Sequence, residues 1–216
     1  MFPIGDDDSG RRTTPVVTFA LIALNILVFF IELNGGDAFI KQWAFIPSRF
    51  SSNPVSDAST VFTAMFMHGG WLHLFGNMLY LWIFGDNVED EFGHLQFLAF
   101  YLLCGIAATL AQFYFSVASS VPNVGASGAI AGILGAYIVM FPSAKVSVLV
   151  GRQVVALPAL VVLGMWIVLQ LFSGVGSIAQ TTDTGGVAYM AHIGGFAAGL
   201  LMSFLFRGRR DSARSS

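Results

Sequence analysis

Serine and histidine side chains lie inside apolar stretches of this chain, where polar groups are costly and are therefore functional candidates. Ser127, His73 and His192 each fall within a different apolar run. A serine hydroxyl becomes a nucleophile when a base lies beside it, and histidine is the side chain that most often serves as that base. If the fold brings Ser127 and His192 together, the chemistry that we expect is nucleophilic attack on a carbonyl group.

Hydrogen-bond donors for the resulting oxyanion are also present. His73 and Asn77 are four positions apart, which places them on one face of a helix. Ser127 begins an apolar run, and the free N–H groups and positive dipole at the start of a helix favour a negative charge. In known enzymes such donors contribute about 2.7–4 kcal/mol each. No aspartate lies within the apolar runs to orient His192, so the sequence predicts a Ser127–His192 dyad.

Each of these residues also has a purely structural interpretation. A histidine in a membrane span can form a hydrogen bond between helices, and a serine can bond back to its own helix. The sequence GASG at 125–128 differs from the hydrolase pattern G-x-S-x-G, because position 129 is alanine. Asn25 and Gln170 are expected to form hydrogen bonds across helices.

Small residues at four-residue spacing predict a close contact between two of the apolar runs. The spacing occurs at Gly128 and Gly132 in one run, and at Gly195 and Gly199 in the other. Small residues at this spacing let helix backbones approach closely in membranes. Because Ser127 and His192 each lie beside the start of such a pattern, this packing would bring the imidazole within reach of the hydroxyl.

The overall composition is that of a membrane protein. Hydrophobic residues make up 56% of the chain and charged residues 10%, against roughly 25% charged residues in soluble domains. Six apolar runs are long enough to cross a hydrocarbon layer of about 30 Å. They are 16–33, a part of 61–85, 95–117, 127–142, 154–172 and 187–206. We therefore predict an all-α membrane protein of six transmembrane helices, with a short fourth helix of about 24 Å that carries the serine.

The distribution of basic residues predicts the orientation. With six spans both termini lie on one side, and that side carries eight of the ten Lys and Arg residues. Positive charge favours the cytoplasmic side, so residues 1–14 and 207–216 are predicted to be cytoplasmic tails. We expect the acidic cluster around Asp6 to belong to a disordered, solvated segment. The apolar outer connection 34–60 is expected to lie in the membrane interface, and the polar connection 173–186 to form a mobile flap.

Other features exclude several classes of partner and site. No basic stripe is present, so nucleic acid is not an expected partner. Cys104 is the one cysteine and is expected to be a small buried apolar residue. The chain shows no internal repeat, so the inverted-repeat transporter folds gain no support.

Three motifs in the chain resemble those of the rhomboid intramembrane serine proteases. HGGWLHLFGN (68–77), GASG (125–128) and AHIGGFAAG (191–199) occur in this order on the even-numbered spans. The resemblance covers about residues 15–206. It implies cleavage of transmembrane protein substrates within the lipid bilayer or just beside it, with no metal and no cofactor. It also implies that Ser127 is the nucleophile, His192 the base, and His73, Asn77 and the Ser127 amide the oxyanion donors.

The same resemblance assigns several structural roles. Gly125 and Gly128 would shape the turn around the serine. NVEDEFG (87–93) resembles the V-E-x-x-x-G element of the family, which implies that Glu89 is a structural hydrogen-bonding residue. The connection 34–60 matches the first loop of the family, which is embedded in the membrane interface. The connection 173–186 matches the cap over the active site.

The chain departs from the family pattern at two places. Many rhomboids carry an aromatic residue four positions after the serine, where it stacks on the catalytic histidine, and this chain has Ala131 there. His192 must then be oriented otherwise, for example by tight packing, and we expect modest intrinsic activity. Trp43 and Arg49 are not adjacent, so neither is matched to the Trp-Arg element of the first loop in the family.

Two other functions compete with proteolysis. A rhomboid-fold protein without catalytic activity could bind membrane clients, but such relatives typically lack the serine or the histidine, and both are present here. A transporter or channel would carry titratable groups on both sides of the bilayer midplane, and the inner halves of the spans carry almost none. A bacterial inner membrane is the expected location, with an organelle membrane as the alternative. The sequence does not indicate an oligomeric state.

Overall fold

The computed structural model describes residues 2–7, 9–178 and 188–206, and the chain is mostly helical. Its long helices are α1 (Val16–Trp43), α4 (Trp71–Phe92), α5 (His94–Phe115), α6 (Ser127–Met140), α7 (Ala159–Ile178) and α8 (Tyr189–Phe206). The short helices α2 (Pro47–Ser52) and α3 (Thr60–Thr63) lie between α1 and α4. Strands β1 (Phe2–Gly5), β2 (Lys145–Val150) and β3 (Gln153–Pro158) complete the fold.

Within the described residues, four helices are long and apolar enough to cross a membrane: α1, α5, α7 and α8. Such helices indicate a multi-pass membrane protein. Helix α4 has the length of a span but ends in a run of acidic residues. Helix α6 has only 14 residues, which corresponds to about 21 Å.

Helix α6 lies at the centre of the bundle and packs against α4, α5, α7 and α8. Every residue of 128–137 is buried, so this helix has no polar face. Its closest neighbour is α8, and the four glycines of the two helices lie at their contact. We call Gly128, Gly132, Gly195 and Gly199 the glycine seam. A Cβ atom on Gly195 would overlap the carbonyl oxygen of Gly128, and one on Gly199 would overlap that of Gly132.

Three antiparallel strands, which the sequence analysis did not predict, form a small sheet in the order β1–β2–β3. Strand β3 occupies the first residues of the run 154–172, so the helix in that run begins at Ala159 and not at residue 154. The hairpin turns at Gly151, whose φ of +62° favours glycine. Val146 and Val148 on β2 are buried while their neighbours are more exposed, which is the alternation of a strand.

The segment around Asp6 is ordered, so the expectation of a disordered, solvated segment is wrong for its described part. Phe2 lies opposite Leu149 in the sheet. The carboxylate of Asp6 accepts hydrogen bonds from the Asn87 side chain and from the Tyr137 hydroxyl, both at 2.6 Å. These bonds tie the segment to α4 and α6, which is why it does not remain in solvent.

The acidic end of α4 holds the start of α1. The Glu89 side chain is completely buried and accepts hydrogen bonds from the backbone N–H groups of Val17 and Thr18 at 2.8 and 2.7 Å. A carboxylate at this position satisfies free N–H groups and complements the helix dipole. Asp90 accepts a bond of 2.8 Å from the N–H of Thr13, three residues before α1 begins. The structural role expected for Glu89 is confirmed.

The connection between α1 and α4 is more structured than a loop. Helix α1 continues to Trp43 past a non-helical glycine at Gly36, where φ is +55°. Arg49 then joins the parts of the connection, because its guanidinium donates to the Ala44 carbonyl at 2.8 Å and to the Asp57 carboxylate at 2.5 Å. Helix α4 begins at Trp71, so the first ten residues of the run 61–85 do not belong to that span.

Two of the expected segments fall wholly or partly outside the described residues. Of the expected flap at 173–186, residues 173–178 continue α7, and the rest lies beyond the described range. The tail 207–216 is also outside it.

Candidate active site

Ser127 is the first residue of α6 and follows a turn that only glycine adopts easily. Gly125 has a φ of +132°, and its N–H donates to the Ala64 carbonyl at 2.9 Å. Ala126 is fully buried and occupies the N-cap position without a side-chain cap. The N–H groups of the first turn of α6 therefore have no intrahelical partner and are available for an anionic group.

The hydroxyl of Ser127 contacts the imidazole of His192. The Ser127 Oγ and His192 Nε2 atoms are 2.8 Å apart, which is a hydrogen-bond distance. His192 lies in the first turn of α8. The glycine seam begins at the residue after Ser127 on α6 and three residues after His192 on α8. The close approach of the helices at the seam is what lets a short hydroxyl and an imidazole meet.

The other ring nitrogen of His192 also has a partner. Its Nδ1 atom lies 2.8 Å from the amide oxygen Oε1 of Gln170, which comes from α7. The indole of Trp166, one turn earlier on α7, lies beside the same imidazole with ring centroids 5.8 Å apart and planes inclined by 35°. The hydrogen bond across helices that was expected for Gln170 is thus present, with His192 as its partner. The contact with Trp166 was not predicted from the sequence.

Helix α7 supplies an aromatic ring where the chain lacks one on α6. The buried residue four positions after Ser127 is Ala131, which has no ring to stack on His192. Trp166 and Gln170 are four positions apart and share one face of α7. This spacing indicates that the two side chains lie on one face of α7, but it does not indicate which residue that face contacts.

His73 lies on the other side of the Gly125 turn. A Cβ atom on Gly125 would be 2.8 Å from the His73 Nε2 and 3.5 Å from the Ser127 Oγ, so the turn fits between these groups. The Gly69 N–H donates to the His73 Nδ1 at 3.4 Å. Because Nδ1 accepts, a neutral His73 carries its proton on Nε2, the nitrogen that faces the turn.

Asn77 is buried, and its amide nitrogen Nδ2 has no hydrogen-bond partner among the described residues. A buried donor that is left without an acceptor costs about 1–3 kcal/mol. Asn77 lies one turn after His73 on the same face of α4. A free donor at this position is what an oxyanion would require.

A small cavity of about 20 Å³ adjoins Ser127. Its walls include Met65, Gly125, Thr109 and Ala191. A space of this size can hold about one water-sized group. Within the residues that the structure describes, no three His, Cys, Asp or Glu side chains are placed to hold a metal ion together. The site thus combines a hydroxyl, a base and several donors, which is the equipment of acyl transfer.

The comparisons with known proteins all point to the same family. A rhomboid domain model matches residues 56–209. The rhomboid protease GluP of Bacillus subtilis is 34% identical over 86% of this chain and 34% of its own length. Rhomboid protein 1, mitochondrial, of Saccharomyces cerevisiae is 26% identical over 86% of this chain and 51% of its own. The human presenilin-associated rhomboid-like protein, mitochondrial, is 30% identical over 65% and 36%. The chain thus spans between a third and a half of the length of these relatives.

Proposed function

This chain belongs to the rhomboid family, and from that premise we propose that it is an intramembrane serine endopeptidase. Its substrates would be other membrane proteins, cleaved in or near their transmembrane segments. Ser127 would be the nucleophile and His192 the base. The observation that carries the proposal is the 2.8 Å contact between the Ser127 Oγ and the His192 Nε2.

The reaction would begin with attack of the Ser127 Oγ on a substrate carbonyl carbon, while its proton passes to the His192 Nε2. The carbonyl oxygen becomes an oxyanion, for which His73, Asn77 and the Ser127 N–H would be the donors. As the C–N bond breaks, protonated His192 gives its proton to the leaving amine. A water molecule, deprotonated by His192, then hydrolyses the acyl-enzyme and regenerates the hydroxyl of Ser127.

The membrane arrangement that we propose has six spans. Helix α4 and the short α6 would cross the bilayer together with the four helices that are long and apolar enough to do so. Residues 15–206 would form the protease domain, with 34–60 at the outer interface and 173–186 as the cap. Tails 1–14 and 207–216 would be cytoplasmic, in a bacterial inner membrane.

Substrates are expected to have weakened helices near the outer end of a span. A carbonyl in an intact helix is hydrogen-bonded and covered, so the peptide must leave its helix before Ser127 can attack it. Small or helix-weakening residues lower the cost of that step.

The first experiment is labelling of the purified protein by a serine-reactive fluorophosphonate, with Ser127→Ala and His192→Ala in parallel. We expect labelling of the wild type alone, because His192 activates the hydroxyl of Ser127. Cleavage of a transmembrane model substrate should be lost in the same two variants. Turnover that persists in Ser127→Ala would contradict the proposal. A wild type that binds the substrate but never cleaves it would favour a client-binding protein instead.

A further inference from the structure

We propose that Gln170 is a positioning residue that fixes the tautomer and orientation of His192, so that the Ser127–His192 pair acts as a triad with a neutral third member. The inference rests on the proposed function and assigns a role to a residue of α7. Its basis is the 2.8 Å distance between the His192 Nδ1 and the Gln170 Oε1.

The chemistry of the two atoms determines the tautomer. An amide oxygen can only accept a hydrogen bond, so the contact requires a proton on the Nδ1 of His192. In a neutral imidazole the other nitrogen, Nε2, is then an acceptor. Nε2 is the atom that lies 2.8 Å from the Ser127 Oγ. The Gln170 contact therefore selects the one neutral form of His192 that can take a proton from the serine.

The contact also fixes the orientation of the ring. Hydrogen bonds at both ring nitrogens, between Nδ1 and Gln170 and between Nε2 and Ser127, define the plane and the rotation of the imidazole. Trp166 lies against it from the same helix as Gln170 and limits its tilt. Ala131 leaves α6 without an aromatic side chain at the position that would otherwise support the ring.

A neutral third group suits the surroundings of this site. An ionised carboxylate in an apolar environment is costly to desolvate, whereas an amide needs only a hydrogen-bond partner. Gln170 is partly buried on α7, whereas its neighbour Leu169 is exposed. The amide would stabilise the imidazolium that forms during the reaction less than a carboxylate would, but it gives the same choice of tautomer.

The test compares wild type with Gln170→Met, which keeps the length of the side chain but has only a weak acceptor. We expect kcat to fall about tenfold or more while KM stays within about twofold, because the ring is misaligned but the substrate still binds. Leu169→Met is the matched control, since it places the same side chain one position away on the exposed face of α7. Gln170→Glu offers an acceptor again and should recover most of the lost kcat.

A second readout follows the tautomer directly. The chain has four histidines, so 15N-histidine labelling gives few signals, and His192→Ala identifies the one in question. At a pH where the ring is neutral, we expect the proton on Nδ1 in wild type and a shift towards Nε2–H in Gln170→Met. This measurement needs no substrate and applies to wild type even if a variant does not fold.

The outcomes separate the two proposals. Suppose that the wild type is labelled and cleaves its substrate. The role of Gln170 would then be overturned, and the dyad left intact, by an unchanged kcat in Gln170→Met or by a wild-type His192 that is protonated on Nε2. A loss of kcat in Gln170→Met that Gln170→Glu does not recover would also contradict it. A wild type that neither labels nor cleaves would overturn the proposed function and this inference together.

Discussion

Asn77 has a buried donor that the folded structure leaves without an acceptor among the described residues. The atom is the amide nitrogen Nδ2, and it lies one turn after His73 on the same helix. Folding alone would favour an apolar residue here, since an unmade hydrogen bond is costly. The proposed role as an oxyanion donor would account for it, because an interaction formed only in the transition state raises kcat and not ground-state affinity.

The substitution Asn77→Ala should therefore lower kcat about 10²–10³-fold and leave KM nearly unchanged. Steady-state cleavage of a transmembrane substrate measures both constants. Asn34→Ala is the control, because the exposed Asn34 amide donates to the Phe30 carbonyl of its own helix, at 2.7 Å. A raised KM with normal kcat would show that Asn77 binds the ground state and is not an oxyanion donor.

The pairing of α6 with α8 depends on the absence of side chains at the glycine seam. At Gly199 a methyl group would meet the backbone of Gly132, which cannot move aside as a flexible side chain could. Overpacking of this kind costs about 1–3 kcal/mol or more. Since the seam also sets the distance between Ser127 and His192, we expect stability and catalysis to depend on it together.

We predict that Gly199→Ala lowers the thermal unfolding midpoint in detergent and also slows labelling of Ser127 by a fluorophosphonate. Gly164→Ala provides the comparison, because Gly164 lies inside α7 and has no atom within 4 Å of an added Cβ. There the alanine should be neutral or stabilising, by up to about 1 kcal/mol. Equal behaviour of the two variants would mean that the seam is not a tight contact.

The elements that the sequence predicts best are those set by apolar length and small-residue spacing. Ser127 and His192 could be placed together because the seam fixes the register of two helices. The partner of Gln170 could not be predicted, because one polar side chain does not fix the rotation of α7. Strand β3 was missed because its apolar residues and those of α7 form one apolar run, and Pro158, which stands at their junction, is equally compatible with the start of a helix over the whole run.

In the whole molecule, the Ser127–His192 contact and the three-stranded sheet lie at opposite ends of α6. Ser127 begins this helix, and the three-stranded sheet follows its other end at Met140, about 21 Å away. Asp6, Arg11 and Arg12 attach the first residues of the chain to the side on which the sheet lies. The proposed orientation puts that side in the cytoplasm, with Ser127 and His192, the proposed catalytic residues, nearer the outside.

Sided labelling tests this orientation. In intact cells, a membrane-impermeant maleimide should label Ser56→Cys, which lies in the exposed connection after α2, and should not label Ser9→Cys. Disruption of the membrane should make Ser9→Cys reactive. The native Cys104 is fully buried, so the unsubstituted chain is the blank. The opposite pattern would reverse the proposed topology.

The pairing of Phe2 with Leu149 also determines the order in which the protein can be completed. A ribosome adds about 5–20 residues per second, so β1 emerges on the order of ten seconds before its partner strand exists. In that interval the backbone N–H groups of Val17 and Thr18 in the first turn of α1 also lack their acceptor until Glu89 of α4 has been synthesised. The sheet therefore forms late in synthesis. An antibody or protease that recognises β1 only while it is unpaired would distinguish nascent chains from finished ones.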